Sequence, residues 1–313
     1  MKILVAGATG VVGARLLPLL VSRGHDVAGI SRSPGSADAI AATGARPYAA
    51  DALDQAELVA AAMDFAPEVV VNQLTALGPQ PDTSKFDRAF AKTNRLRTEG
   101  GRNLIAAARA VRARRYVAQS FCGWPYARSG GPIKSEDDPL DADPPKELRG
   151  SLQAIRQLED DVTSLSDIEG VVLRYGNFYG PGTVFASDGS FIGDLRRRRI
   201  PLVGSAGGIF SFAHVEDVAS ATASAIEGRQ TGIFNVVDDD PAPVREWLPF
   251  LAATVGTRAP LQLPGWLMRL VMPEHLYVMM TEIRGGSNRR FKETFGWQPK
   301  YPSWRQGFVE ALG

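Results

Sequence analysis

Through residue 175 the chain alternates short, β-branched apolar runs with longer stretches in which alanine and leucine recur at helical spacing. That rhythm is the pattern of successive βαβ units around a parallel sheet. It predicts strands over Lys2–Ala6, Asp26–Ser31, Ala45–Ala49, Val69–Gln73, Tyr116–Gln119 and Gly170–Arg174. Between them it predicts helices over Gly13–Arg23, Ser36–Thr43, Asp54–Phe65, Phe86–Ala113 and Leu148–Ser166. Strands in this order make a doubly wound α/β sheet, which binds its ligand at the strands' carboxyl ends.

Two stretches depart from the rhythm. Cys122–Pro145 is rich in Pro, Gly, Ser and Asp without periodicity, and a segment of that length is expected to be a functional loop over the site. Beyond Pro181 the pattern becomes irregular, with glycine-rich turns at Gly204–Gly208 and proline-containing segments at Asp238–Pro243 and Pro260–Pro273. No internal repeat or low-complexity tract is evident.

The most specific motif is Gly7-Ala8-Thr9-Gly10-Val11-Val12-Gly13, set between an apolar strand and an amphipathic helix. Glycines at these positions permit the tight turn, close approach of the backbone to a pyrophosphate, and packing of the helix on the strand. The helix start offers free amides and a positive dipole end to phosphates. Gly7, Thr9, Gly10, Val11, Val12 and Gly13 are therefore expected at a nicotinamide dinucleotide. The expected organisation is a Rossmann dinucleotide-binding domain over residues 1–180 and a smaller, C-terminal substrate-binding lobe over 181–313, with parts of the chain crossing back.

After the second strand comes Ile30-Ser31-Arg32-Ser33, with no acid to receive the ribose hydroxyls of NAD. Arg32 offers a forked guanidinium suited to a 2′-phosphate, so NADP(H) is expected over NAD(H), the alternative being a surface arginine. Asp51 is placed to meet an adenine amino group, whereas Asp54 reads as the N-cap of the next helix.

The net charge of +1 argues against nucleic acid as a partner. One cysteine, Cys122, excludes an intrachain disulfide and reads as a small buried residue. The Arg196–Arg199 run reads as a solvated helix end or, less simply, an anion site. Three histidines and one cysteine show no metal-ligand spacing. The apolar run at the start is too short for a signal peptide or a membrane span, so the expected compartment is the cytoplasm and no membrane partner is expected.

Further motifs extend along the chain: Asp51 with Leu53, Val69-Val70-Val71-Asn72, Arg114 through Ser120, Leu173 through Gly182, Ser211 through Ala219, and Phe295-Gly296-Trp297-Gln298-Pro299. With them the chain resembles the extended short-chain dehydrogenase/reductase family, the NAD-dependent epimerase/dehydratase type. The resemblance implies cofactor contacts from Ala52, Asn72, Gln73, Leu74, Tyr175, Asn177 and Phe178. It also implies a Tyr-x-x-x-Lys helix, supported by a serine or threonine, in which the tyrosine passes a proton and the lysine lowers its pKa. Anchored on Glu159, those two positions fall on Ser151 and Ile155. The supporting position falls on Ser120 or Phe121.

Other donors must then be considered. Tyr126 and Lys134, in or beside the loop, are candidate acids, the alternative being loop residues with polar ends in water. His214 and Asp217 read as a structural helix entrance, Asp217 as its N-cap. Trp124, Tyr179, Phe185 and Phe210, together with Phe121, imply a flat, weakly polar ligand or else the core of the second lobe. The leading expectation is an NADP(H)-dependent oxidoreductase acting on a small carbonyl or unsaturated metabolite. A cofactor-dependent epimerase, isomerase or lyase, and a non-catalytic dinucleotide sensor or assembly protein, are the alternatives. The resemblance further implies a homodimer through the helices Phe86–Ala113 and Leu148–Ser166.

Overall fold

The computed structural model describes residues 1–77 and 85–312. In chain order the first part comprises β1 (Lys2–Ala6), α1 (Gly13–Ser22), β2 (Asp26–Ser31), α2 (Ala37–Ala41), β3 (Arg46–Ala49), α3 (Gln55–Phe65) and β4 (Val69–Asn72). It continues with α4 (Phe86–Arg95), α5 (Gly101–Ala110), β5 (Arg115–Phe121), β6 (Ile133–Lys134), α6 (Lys146–Thr163), β7 (Glu169–Tyr175) and β8 (Asn177–Tyr179). The later part holds α7 (Ser190–Arg196), β9 (Leu202–Val203), β10 (Ile209–Phe210), β11 (Phe212–His214), α8 (Val215–Glu227), β12 (Gly232–Val236), β13 (Ala242–Pro243) and α9 (Val244–Thr254). It ends with β14 (Gln262–Leu263), α10 (Gly265–Val271), α11 (Glu274–Thr281), β15 (Gly285–Gly286), α12 (Arg289–Phe295) and α13 (Trp304–Leu312).

Seven strands form one parallel sheet in the order β12-β7-β5-β4-β1-β2-β3. The six strands expected from the pattern are all present, β1 and β2 at the expected bounds and the other four with ends shifted by one or two residues. The seventh, β12, comes from the C-terminal part and pairs with β7 from Gly232↔Val171 to Val236↔Tyr175. The order reverses between β1 and β4, which puts the ligand crevice at their carboxyl ends.

Alternate side chains of each strand point to opposite faces. Ile3 and Val5 join Leu16 and Leu20 of α1, Val218 of α8 and Phe291 of α12 on one side. Leu4 and Val70 join Leu58 of α3, Leu104 of α5 and Leu158 of α6 on the other. A third apolar cluster, around Phe212, Trp247, Leu251, Trp304 and Phe308, packs α9 and α13 against β11.

The helix expected over Phe86–Ala113 is interrupted. Between α4 and α5 the turn Leu96–Gly100 is π-helical, a local widening that often occurs at functional sites. The loop Cys122–Pro145 is mostly irregular, yet it is anchored: β6 pairs with β15, and Arg128 holds Asp141 and Glu282 at 3.0 and 2.9 Å.

Candidate active site

The glycine loop closes the carboxyl end of β1. Gly7 has φ +84°, and a Cβ on it would lie 2.4 Å from the Gln73 carbonyl oxygen; on Gly13 it would lie 2.3 Å from the Gly7 oxygen. Strand, turn and helix therefore approach as closely as a dinucleotide fold requires. Val12 caps α1 without a side-chain hydrogen bond. The amides of Val11 and Val12 have no partner among the described residues, so they fit the phosphates of a dinucleotide. Arg15 was not foreseen: it donates to Val11 O at 2.8 Å and to Pro181 O at 2.6 Å, tying the glycine loop to the segment after β8.

Arg32 is exposed at the end of β2, with no hydrogen bond or ion pair among the described residues. Asp51 Oδ1 accepts from Leu53 N at 3.0 Å. Asp54 is the N-cap of α3 and accepts from Ala56 N and Glu57 N, as expected. Ala52 is buried, and its carbonyl accepts from Asn103 Nδ2.

Several residues expected at the cofactor also make hydrogen bonds within the protein. Asn72 donates to the Tyr116 hydroxyl at 3.1 Å and accepts from Leu74 N at 3.1 Å. Gln73 donates to the Tyr175 hydroxyl, which also bonds Thr222. Burial pushes the Tyr175 phenol up to about 12, so this ring is a strut beneath the crevice. Asn177 gives both its backbone N–H and Nδ2 to Ser211 O, which fastens β8 to β11. Phe178 packs half-buried 5.6 Å from the Tyr175 ring.

The candidate proton donors fare similarly. Ser120 is buried and donates to Glu159 Oε1 at 2.7 Å. Glu159 is held by Arg174 through Nε at 2.8 Å and Nη2 at 2.6 Å, the two side chains 5% and 4% exposed. Tyr126 does not reach into water: it is fully buried, donates to Asn235 Oδ1 at 2.8 Å and accepts from Arg174 Nη1 at 3.0 Å. Burial pushes its phenol well above the ordinary value. Lys134 is also buried, its ammonium on Ser129 O at 2.7 Å and Asp138 Oδ1 at 3.2 Å. Both residues face the interior because the loop folds onto β12 and β15, giving long polar side chains buried partners that a mobile loop would lack.

Ser151 and Ile155 lie buried on α6, and Ser151 Oγ accepts from Asn94 Nδ2 at 2.9 Å. His214, not Asp217, caps α8, its Nδ1 accepting from Glu216 N at 3.3 Å. Asp217 instead accepts from Lys300 N and Tyr301 N, amides brought beside it by the segment ahead of α13. Among the described residues no cluster of His, Cys, Asp and Glu could hold a metal.

The aromatic set divides. Tyr179 is fully buried and Phe185 nearly so, both in the third apolar cluster with Phe212 and Phe308. Phe210 packs half-buried 5.0 Å from Trp247. These three pack in or against that cluster. Phe121 and Trp124 stay half-buried at the carboxyl end of β5, their rings 6.3 Å apart, and Trp124 meets Phe86 of α4 at 5.7 Å.

The NAD dependent epimerase/dehydratase family model matches residues 3–236. The chain belongs to that family. Within it, the chain is 43% identical over 308 residues to the 3-diazoavenalumate denitrifying reductase of a Streptomyces species, covering 98% of this chain and 99% of that protein. It is 27% identical over 313 residues to the human epimerase family protein SDR39U1, covering 96% of each. The crystal structure of the human protein with NADPH superposes with a TM-score of 0.74 at 24% identity, covering 100% of this chain and 99% of that one. The Thermus thermophilus UDP-glucose 4-epimerase complex with NAD gives 0.75 at 22%, over 100% and 98%. The fold is that of these epimerases, and this member of the epimerase/dehydratase family is a dinucleotide-dependent oxidoreductase. Among the described residues, no helix is long and apolar enough to cross a membrane.

Proposed function

We propose that the protein is an NADPH-dependent reductase that removes a diazo group from an aromatic substrate as dinitrogen. The observation that carries this reading is the state of the donors: Ser120, Tyr126 and Lys134 are each buried and engaged within the protein, and the family resemblance puts Ser151 and Ile155 at the positions of its Tyr-x-x-x-Lys pair. Reduction of a carbonyl consumes a hydride and a proton, so it calls for an acid beside the substrate. An aryl diazonium needs none. The reduced nicotinamide, when bound, supplies the hydride. In the net reaction a C–H bond forms from the hydride's electron pair, the C–N bond breaks, and its pair departs with dinitrogen.

The relative named for reduction of a diazo acid, at 43% identity over almost the full length of both chains, supports the same substrate class. The half-buried rings of Phe121 and Trp124 form a wall suited to a flat arene. Arg32, exposed after β2 and unengaged among the described residues, supports NADPH over NADH through its fit to a 2′-phosphate.

The experiment is to follow NADPH absorbance with aryl diazonium salts, ketones and enones in parallel. Oxidation with the diazo compounds alone is expected. Ketone reduction would restore the carbonyl reading, and tight NADPH binding without turnover on any compound would favour a dinucleotide sensor.

A further inference from the structure

Arg97 lies in the π-helical turn between α4 and α5, and it is 9% exposed. Among the described residues its one hydrogen bond runs from Nη1 to Asn94 Oδ1 at 3.3 Å, while Nε is enclosed without a partner. The carboxylate whose field it feels is Glu159, yet no ion pair joins them, and Glu159 already bonds Arg174 twice and Ser120 once. Two guanidiniums thus share one carboxylate. A charge left underpaired in a protein interior is costly, and burial lowers the Arg97 guanidinium to about 10.

Its position is informative. Asn94, which accepts from Arg97, donates to Ser151 at one level of α6, and Glu159 lies two turns further on. Arg97 is therefore beside the stretch of α6 that contains Ile155. On its own helix, Thr93 one turn earlier accepts from Ala76 N, and Gly101 one turn later packs near Asn72. Those contacts turn this face toward the carboxyl end of β4 and the segment that follows it, beside the sheet's ligand crevice.

We propose that Arg97 is an anion subsite of the active site: its guanidinium receives an oxygen anion of the substrate, a carboxylate or a phenolate, and so holds the ring against the crevice. This rests on reading the site as one for an aromatic substrate. A planar fork with unoccupied N–H donors recognises such an oxygen through charge-assisted bonds.

The test is calorimetry on the full chain saturated with NADP+, using cinnamate, 4-nitrophenolate and the neutral cinnamamide as probes. Arg97→Gln is expected to weaken one or both anions by about 10- to 100-fold, with NADPH and cinnamamide affinity unchanged and Arg97→Lys intermediate. Which anion loses affinity identifies the oxygen. Anions that bind the Gln variant as tightly as the wild type, or that fail to bind the wild type, would overturn the proposal. Should Arg97→Gln not fold, a crystal structure of the wild type with cinnamate decides: a carboxylate on the guanidinium supports the subsite, and one seated elsewhere refutes it. Absence of dinitrogen release would sink the diazo reading without touching these affinities. Unchanged KM for an anionic diazo substrate in Arg97→Gln would sink the subsite and spare the reading.

Discussion

Ser120 gives its hydroxyl hydrogen to Glu159 at 2.7 Å, and that carboxylate is in turn clasped by Arg174. The hydroxyl at the end of β5 is thus committed to an ion pair beneath the crevice. Removing one partner of such a pair strands the other charge. Glu159→Gln is expected to lower unfolding free energy by about 3–5 kcal/mol, read from urea titration. A loss below about 1 kcal/mol would mean the pair is well solvated.

Tyr126 joins the same network from the other side, between Arg174 and Asn235. Tyr126→Phe removes a buried hydroxyl with two partners and should cost about 1–3 kcal/mol of stability. It should leave kcat within about twofold. A loss of about 10²-fold in kcat with stability intact is the signature of a general acid and would return Tyr126 to the chemistry.

Among the described residues Arg32 has no partner to lose. Arg32→Ala is expected to weaken NADPH about 10- to 100-fold, the size of a hydrogen bond to a charged group, while NADH affinity stays the same. Equal loss for both cofactors would show that Arg32 does not meet the 2′-phosphate.

His214 is buried as the cap of α8, and burial holds its pKa below the ordinary 6.5. The fold therefore favours neutral imidazole. The stability contributed is present above pH 6.5 and is lost as pH falls from there through the folded-state value. His214→Asn keeps an acceptor at the cap and removes this titration. Its urea midpoint should fall less than the wild type's between pH 7.5 and 5, and parallel curves would contradict the assignment.

The first six strands and the glycine loop were legible because each is a local pattern: a β-branched run, a turn that demands glycine, a helix with an apolar face. β12 was missed, although Gly232-Ile233-Phe234-Asn235-Val236 is such a run, because its partner β7 lies far back in sequence. The site was legible where backbone makes it. Where side chains make it, long-range packing decided: Tyr126 and Lys134 read as candidate acids on a loop until β12 and β15 enclosed them, and Tyr179 and Phe185 read as ligand contacts until α9 and α13 supplied Trp247 and Phe308 as neighbours. Arg97 and Arg15 left no sequence signal, since arginines on helices are ordinarily solvated.

The most direct measurement of the central claim, that the site reduces its substrate without a protein proton donor, is the stoichiometry of dinitrogen release. With a 15N-labelled aryl diazonium, one labelled dinitrogen per NADPH oxidised is predicted, at a kcat that stays flat from about pH 6 to 9. NADPH oxidation that leaves both nitrogens on the product, or a kcat that falls with a single ionisation across that range, would contradict it.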